Sequence, residues 1–100
     1  MVIDKFILES LGAIIVNYNM SDFIFREKDV VKHYYQIVED KIKLNNFTDS
    51  GKEILQSIVN TGQSVGEYLL FLDNVSSPVN AIAMTNCQVL NYPKILFSPY

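Results

Sequence analysis

Apolar side chains come in clusters along this chain, and the spacing inside each cluster predicts an element. The densest is Tyr68-Leu69-Leu70-Phe71-Leu72, set between Gly66 and Asp73-Asn74. A run this short, closely bounded by turn residues, reads as a buried strand. A helix is the competing reading, because Val65, Leu69 and Leu72 line up and Ser64-x-x-Glu67 imitates a capping box.

Further back the period changes. Val31, Tyr35, Val38 and Ile42 recur at i, i+4, i+7 and i+11, with Val30, Tyr34 and Ile37 widening the stripe. Lys32, His33, Gln36, Glu39, Asp40 and Lys43 fill the other side. This spacing predicts a helix over 30–44, with Asn45-Asn46 as the turn after it. Ser50-Gly51-Lys52-Glu53 reads as a capping box, and Ile54, Leu55, Ile58 and Val59 give an apolar face. A second helix is therefore expected over 51–60, stopped at Gly62. Ile3, Phe6, Ile7 and Leu11 allow a third helix before Gly12, against a strand or hairpin over 2–18. Ala13 to Tyr18 has the β-branched content of a strand.

The tail, 74–100, carries Lys94 as its sole charged side chain and is punctuated by Pro78, Pro93 and Pro99. Ala81–Met84, Cys87–Leu90 and Lys94–Phe97 are its candidate strands; a helix opened by Ser77-Pro78 is the minority alternative. Together these elements predict an α+β domain over 1–100, with two or three helices packed on a small, mostly antiparallel sheet from the C-terminal third. An all-α bundle is the alternative.

Composition narrows the function classes. One hundred residues, 49% of them hydrophobic, suit a single domain with one real core and exclude intrinsic disorder. Eight basic residues against eleven acids, a net charge of −3, oppose a phosphate backbone, so nucleic acid is not an expected partner of this chain. Anionic membrane is disfavoured likewise, no stretch approaches a membrane span, and Asp4 and Glu9 spoil the N-terminus as a leader. The three N-x-S/T sequons, at Asn19, Asn46 and Asn74, read as chance, and a cytoplasmic setting is expected.

Candidate chemistry is thin. His33, the one histidine, has only Asp29 as an acid at helical spacing and reads as a surface residue. Cys87 has no nearby positive charge to make a thiolate and reads as a buried structural thiol. With one His and one Cys, zinc would need carboxylates or a second chain, so an intrachain structural zinc site is not expected. Glu39-Asp40 is the adjacent acid pair, but neighbours on a helix diverge, and Glu39 with Lys43 is the better couple. Thr61-Gly62-Gln63-Ser64-Val65-Gly66 matches neither phosphate-loop pattern. No catalytic, metal or cofactor-binding residue is assigned, and no cofactor is expected.

Residues 43–55, Lys43-Leu44-Asn45-Asn46-Phe47-Thr48-Asp49-Ser50-Gly51-Lys52-Glu53-Ile54-Leu55, resemble the Leu-Thr-x-x-Gly-Arg-x-x-Leu helix start of some winged-helix repressors. The resemblance implies a DNA-binding transcriptional regulator, but the rest of the chain lacks a basic recognition helix.

The leading expectation is a small, acidic, non-enzymatic interaction protein: a regulator, inhibitor or assembly subunit. Its partner would be itself, as a homo-oligomer, or another protein, met through the charge-poor tail. An uncharged surface strand must be covered by something, and tyrosine suits interfaces, so Tyr92, Ile95, Phe97 and Tyr100 are the candidate contact residues. The alternatives are the winged-helix regulator and a small enzyme using His33.

Overall fold

In the computed structural model, which describes residues 12–65 and 76–93, every regular element is a β-strand. The strands are β1 (Ile14–Tyr18), β2 (Phe23–Phe25), β3 (His33–Glu39), β4 (Lys41–Phe47), β5 (Glu53–Asn60), β6 (Ser64–Val65), β7 (Asn80–Ala83) and β8 (Cys87–Pro93). They pair antiparallel in two four-stranded sheets, ordered β1-β8-β3-β6 and β2-β7-β4-β5. The architecture is a β-sandwich of jelly-roll type, and it overturns both the expected α+β domain and the helical bundle.

The expected helix over 30–44 is two strands and a turn. β3 is buried on both faces, so its apolar residues do not alternate cleanly. Tyr35 and Ile37 point into the sandwich with Phe25, Ile42, Val59, Val65, Ala81, Ala83, Cys87 and Val89. Tyr34 faces the other way, into a second cluster with Ala13, Leu90 and Tyr92, with Val38 packed against it. Two buried faces superposed, continued by Ile42 of the next strand, imitate a helical stripe. Asp40 turns the chain at φ 71°, a left-handed conformation that ends any helix.

The expected helix over 51–60 fails for a related reason. Register runs Leu44↔Ser57 and then Asn45↔Leu55, which leaves Gln56 as an unpaired bulge residue on β5. The bulge resets the alternation between Ile54-Leu55 and Ile58-Val59, giving the four-residue spacing that a helix would also give. The Ser50–Glu53 capping box is a hairpin turn instead. Thr48 N donates to Lys52 O at 2.9 Å, Gly51 N to Thr48 O at 2.8 Å, and Ser50 Oγ meets Thr48 Oγ1 at 3.0 Å. Glu53 turns to Lys43 and Asn45 on β4.

Ala13–Tyr18 does supply a strand, and Ala81–Met84 and Cys87–Leu90 contribute to a pair of strands, β7 and β8. The stretch 68–72, the residues before Gly12 and Lys94–Phe97 lie outside the described residues.

Tight turns close one end of the sandwich. Ser21 N donates to Ala83 O and Ala83 N to Asp22 O, at 2.8 and 2.9 Å; Met20 N donates to Asn86 Oδ1 at 2.9 Å. Thr61 Oγ1 donates to Asp40 O at 3.0 Å, and Gly62 N to Ile37 O at 2.8 Å. At the other end lie the β2–β3 connection, the β4–β5 hairpin turn and residues 76–79, which lead into β7.

Candidate ligand site at the open end of the sandwich

Directly opposed residues in an antiparallel pair project to one face. Leu44 packs against the inner cluster, so its partner Ser57 also faces inward. One step further out, Asn46 and its partner Ile54 do the same. Asn46 Nδ2 donates to Pro78 O at 2.8 Å, and Gln56 Nε2 donates to Asn46 Oδ1 at 2.9 Å. Thus β4 and β5 form one wall of a mouth, and the start of β7 sits against it. Ile54 is 46% exposed, Gln56 and Ser57 are exposed and Leu44 is half-buried. Inner-facing apolar surface left uncovered beside an amide and a hydroxyl is what a small, flat, polar-edged ligand needs.

The wall at 76–80 is held firmly. Ser76 bridges Val30; Ser77 N donates to Asp29 O and Lys28 N to Ser77 O, both at 2.8 Å. Ser77 Oγ donates to Val79 O at 2.7 Å and accepts from Val79 N at 3.2 Å. On the outer face of the same strand Asn80 Oδ1 accepts from Glu27 N at 2.7 Å, and Asn80 Nδ2 donates to Asn45 Oδ1 at 3.2 Å.

Among the described residues that form this wall, Leu44, Asn46, Ile54, Gln56, Ser57 and 76–79, none is Lys, Arg or His. From Glu53 to Pro93 the sequence contains no Lys, Arg or His. Lys43 lies on the outer face, 2.7 Å from Glu53 Oε2. An anion entering here would be met by neutral donors.

A second concavity, about 460 Å³, runs along the seam between β1 and β2 and is lined by Asn17, Tyr18, Asp22, Phe23–Arg26 and Asp29. Its groups are already engaged. Arg26 stacks over Phe23 at 3.8 Å, Asp22 accepts from Asn19 N, and Asp29 accepts from Arg26 N. Deeper in, Asn91 Nδ2 donates to Tyr18 Oη at 3.3 Å. Burial, with Tyr18 and Asp29 close by, pushes the Tyr35 hydroxyl up to about 12.

The residues singled out from sequence do not assemble a site. His33 is on β3 opposite Pro93, its ring 5.8 Å from that of Tyr35. Burial and then Lys32 lower its pKa, so it stays neutral near pH 7, and no helix aligns it with Asp29. Cys87 is buried on the inner face. Tyr92 is buried in the outer cluster; Ile95, Phe97 and Tyr100 lie outside the described residues. No group of His, Cys, Asp and Glu suited to a metal occurs among the described residues, nor a helix long and apolar enough to cross a membrane. Residues 43–55, the winged-helix resemblance, are β4, a turn and the start of β5. Sequence reasoning missed Leu44, Asn46, Ile54, Gln56 and Ser57, because the bulge that orients them leaves no period in the sequence.

Comparison with known proteins gives this mouth a context. The family model described as "Cyclic nucleotide-binding domain" matches residues 15–98. A solved "putative cAMP-binding regulatory protein" from Silicibacter pomeroyi DSS-3 is 27% identical with a TM-score of 0.81, over 93% of this chain and 41% of its own. The catabolite activator protein of Thermus thermophilus is 21% identical with a TM-score of 0.78, over 91% of this chain and 42% of its own. A cyclic nucleotide-binding-like protein from Brucella abortus is 24% identical with a TM-score of 0.79, over 90% of this chain and 76% of its own. The chain thus spans about two fifths of the first two of these proteins. No curated protein matches it. The family match overturns the expected generic interaction module met through its neutral tail.

Proposed function

Because the chain belongs to the cyclic nucleotide-binding domain family, we propose that it is the sensor domain of a cytoplasmic regulator and takes a cyclic nucleotide at the open end of its sandwich. The observation that carries this reading is the family match over 15–98, which includes every residue of the mouth. In this reading the base lies against Leu44 and Ile54. Gln56 and Ser57 supply hydrogen bonds to its edge or to the ribose. The single charge of the cyclic phosphate meets hydroxyls and backbone amides, since β5 to β8 hold no cation. Neutral donors can hold a monoanion, at a cost in affinity relative to charge-assisted bonds. The domain then acts as a reporter of ligand occupancy and performs no chemistry on the nucleotide. Nucleic acid belongs to this proposal as a partner of the regulator: structural neighbours include transcriptional regulators, and the −3 charge of this domain argues only against its own surface as the contact.

Isothermal titration with cAMP and with cGMP tests it. Saturable one-to-one binding of either, weakened several-fold by Gln56→Ala or Ser57→Ala, is the expected result. Absence of binding by both at millimolar ligand would overturn it.

A further inference from the structure

Asn45 and Asn46 sit side by side on β4 and reach the same short segment from opposite faces of the sheet. Asn46, on the inner face, donates to Pro78 O. Asn45, on the outer face, is fully buried and accepts from Asn80 Nδ2. Asn80 is 6% exposed, and its remaining oxygen takes the Glu27 amide in the turn that also binds Ser77 on both sides of its peptide. Asn45 is held in turn by Glu53, which Lys43 pairs. A continuous line of hydrogen bonds therefore crosses the outer face from the edge strand β5 to the β2–β3 connection. Its effect is to fix Ser77 and Pro78 against β4.

We propose that Asn45, Asn46 and Asn80 form a clamp that positions Ser77-Pro78, and that the clamp sets the ligand affinity of the mouth. None of the three side chains need touch the ligand: Asn46 holds the Pro78 carbonyl, Asn80 holds the Glu27 amide, and Asn45 holds the Asn80 side chain in place. The clamp rests on the site reading above. A site pre-organised in its bound shape spends less binding energy on ordering. Removing one partner of a buried amide pair leaves the other unsatisfied and frees the segment to shift.

The test compares Asn80→Ala and Asn46→Ala with Val89→Ala, a core truncation on the other sheet. Each is measured for thermal midpoint, for cAMP affinity by titration, and for hydrogen exchange at the Ser77 and Val79 amides without ligand. The clamp predicts that Asn80→Ala weakens cAMP binding about tenfold and speeds exchange at Ser77 and Val79. Val89→Ala should lower the midpoint comparably and leave affinity and those amides unchanged. Asn46→Ala loses an exposed bond, so it folds, and should move both readouts in the same direction by less. Equal losses of affinity in Asn80→Ala and Val89→Ala, or unaltered exchange in both asparagine variants, would overturn the clamp. If the unsubstituted chain does not bind cAMP, the site reading fails, and hydrogen exchange still decides whether the clamp exists.

Discussion

Lys43 Nζ lies 2.7 Å from Glu53 Oε2, a diagonal contact between the two strands of the β4–β5 hairpin. Both side chains are more than a quarter exposed, so water screens the pair and its direct contribution is small. Its role is to aim the carboxylate that receives Asn45 Nδ2.

A first prediction follows for acid. The Lys43 hydrogen bond, and then that of Asn45, hold Glu53 below its ordinary value of 4.5. A depressed carboxylate contributes stability above its unfolded pKa, and that contribution disappears as pH falls through the folded value. Denaturant midpoints should therefore drop below about pH 4.5, with a shallower drop in Glu53→Gln.

The opposite sign holds at the other end of the pH scale. Tyr35 titrates at about 12 rather than 10.0, raised first by burial and then by Tyr18 and Asp29. Below pH 10 both folded and unfolded forms keep the proton, and the contribution is complete. Above it the unfolded chain loses the proton first, so stability declines from 10 toward about 12. Tyr35→Phe should flatten that decline, and an absorbance titration of the six tyrosines should show one late phenol fewer.

Ligand binding, once measured, should be nearly indifferent to salt. An affinity built on a cation–phosphate pair falls as ions screen it. The mouth has no Lys, Arg or His on β5 to β8, so the cAMP dissociation constant should change by less than about threefold between roughly 50 and 300 mM salt. A steep loss would show that a cation from elsewhere in the chain reaches the phosphate.

The hairpins were partly legible in the sequence and the architecture was not. The β-branched run at 14–18 and the clusters at 81–84 and 87–90 announce β1, β7 and β8 because each is short and bounded by turn residues. β3 carries apolar side chains on both faces, and β5 carries a bulge, and both features erase the two-residue period that marks a strand. Asn45-Asn46 suggests a turn on composition alone. In the fold those residues are mid-strand, bonded to a segment more than thirty positions away. The thiol of Cys87 is where its neutral neighbourhood placed it, buried and with its pKa raised by burial, Asp40 and Asp22. The mouth escaped notice because its members are ordinary residues made special by register alone.

The tightest turn gives the last prediction. Asp40 joins β3 to β4 with φ 71°, a left-handed conformation that costs an L-residue about 1–2 kcal/mol. Its carbonyl accepts from Thr61 Oγ1, a bond that any residue at this position can keep. Glycine adopts this φ without penalty, but it loses about 0.5–1 kcal/mol of extra unfolded-state entropy. The difference favours Asp40→Gly by about 0.5–1 kcal/mol, a rise of several degrees in midpoint for a domain of this size. Asp40 also faces Cys87 electrostatically, so the same substitution should lower the thiol pKa slightly. Reaction with a disulfide reagent should nonetheless stay slow until denaturant opens the fold, because Cys87 is 4% exposed. Thermal melts and thiol titration of the two proteins side by side check both effects; a lower midpoint in Asp40→Gly would mean that the Asp40 side chain is stabilising the turn.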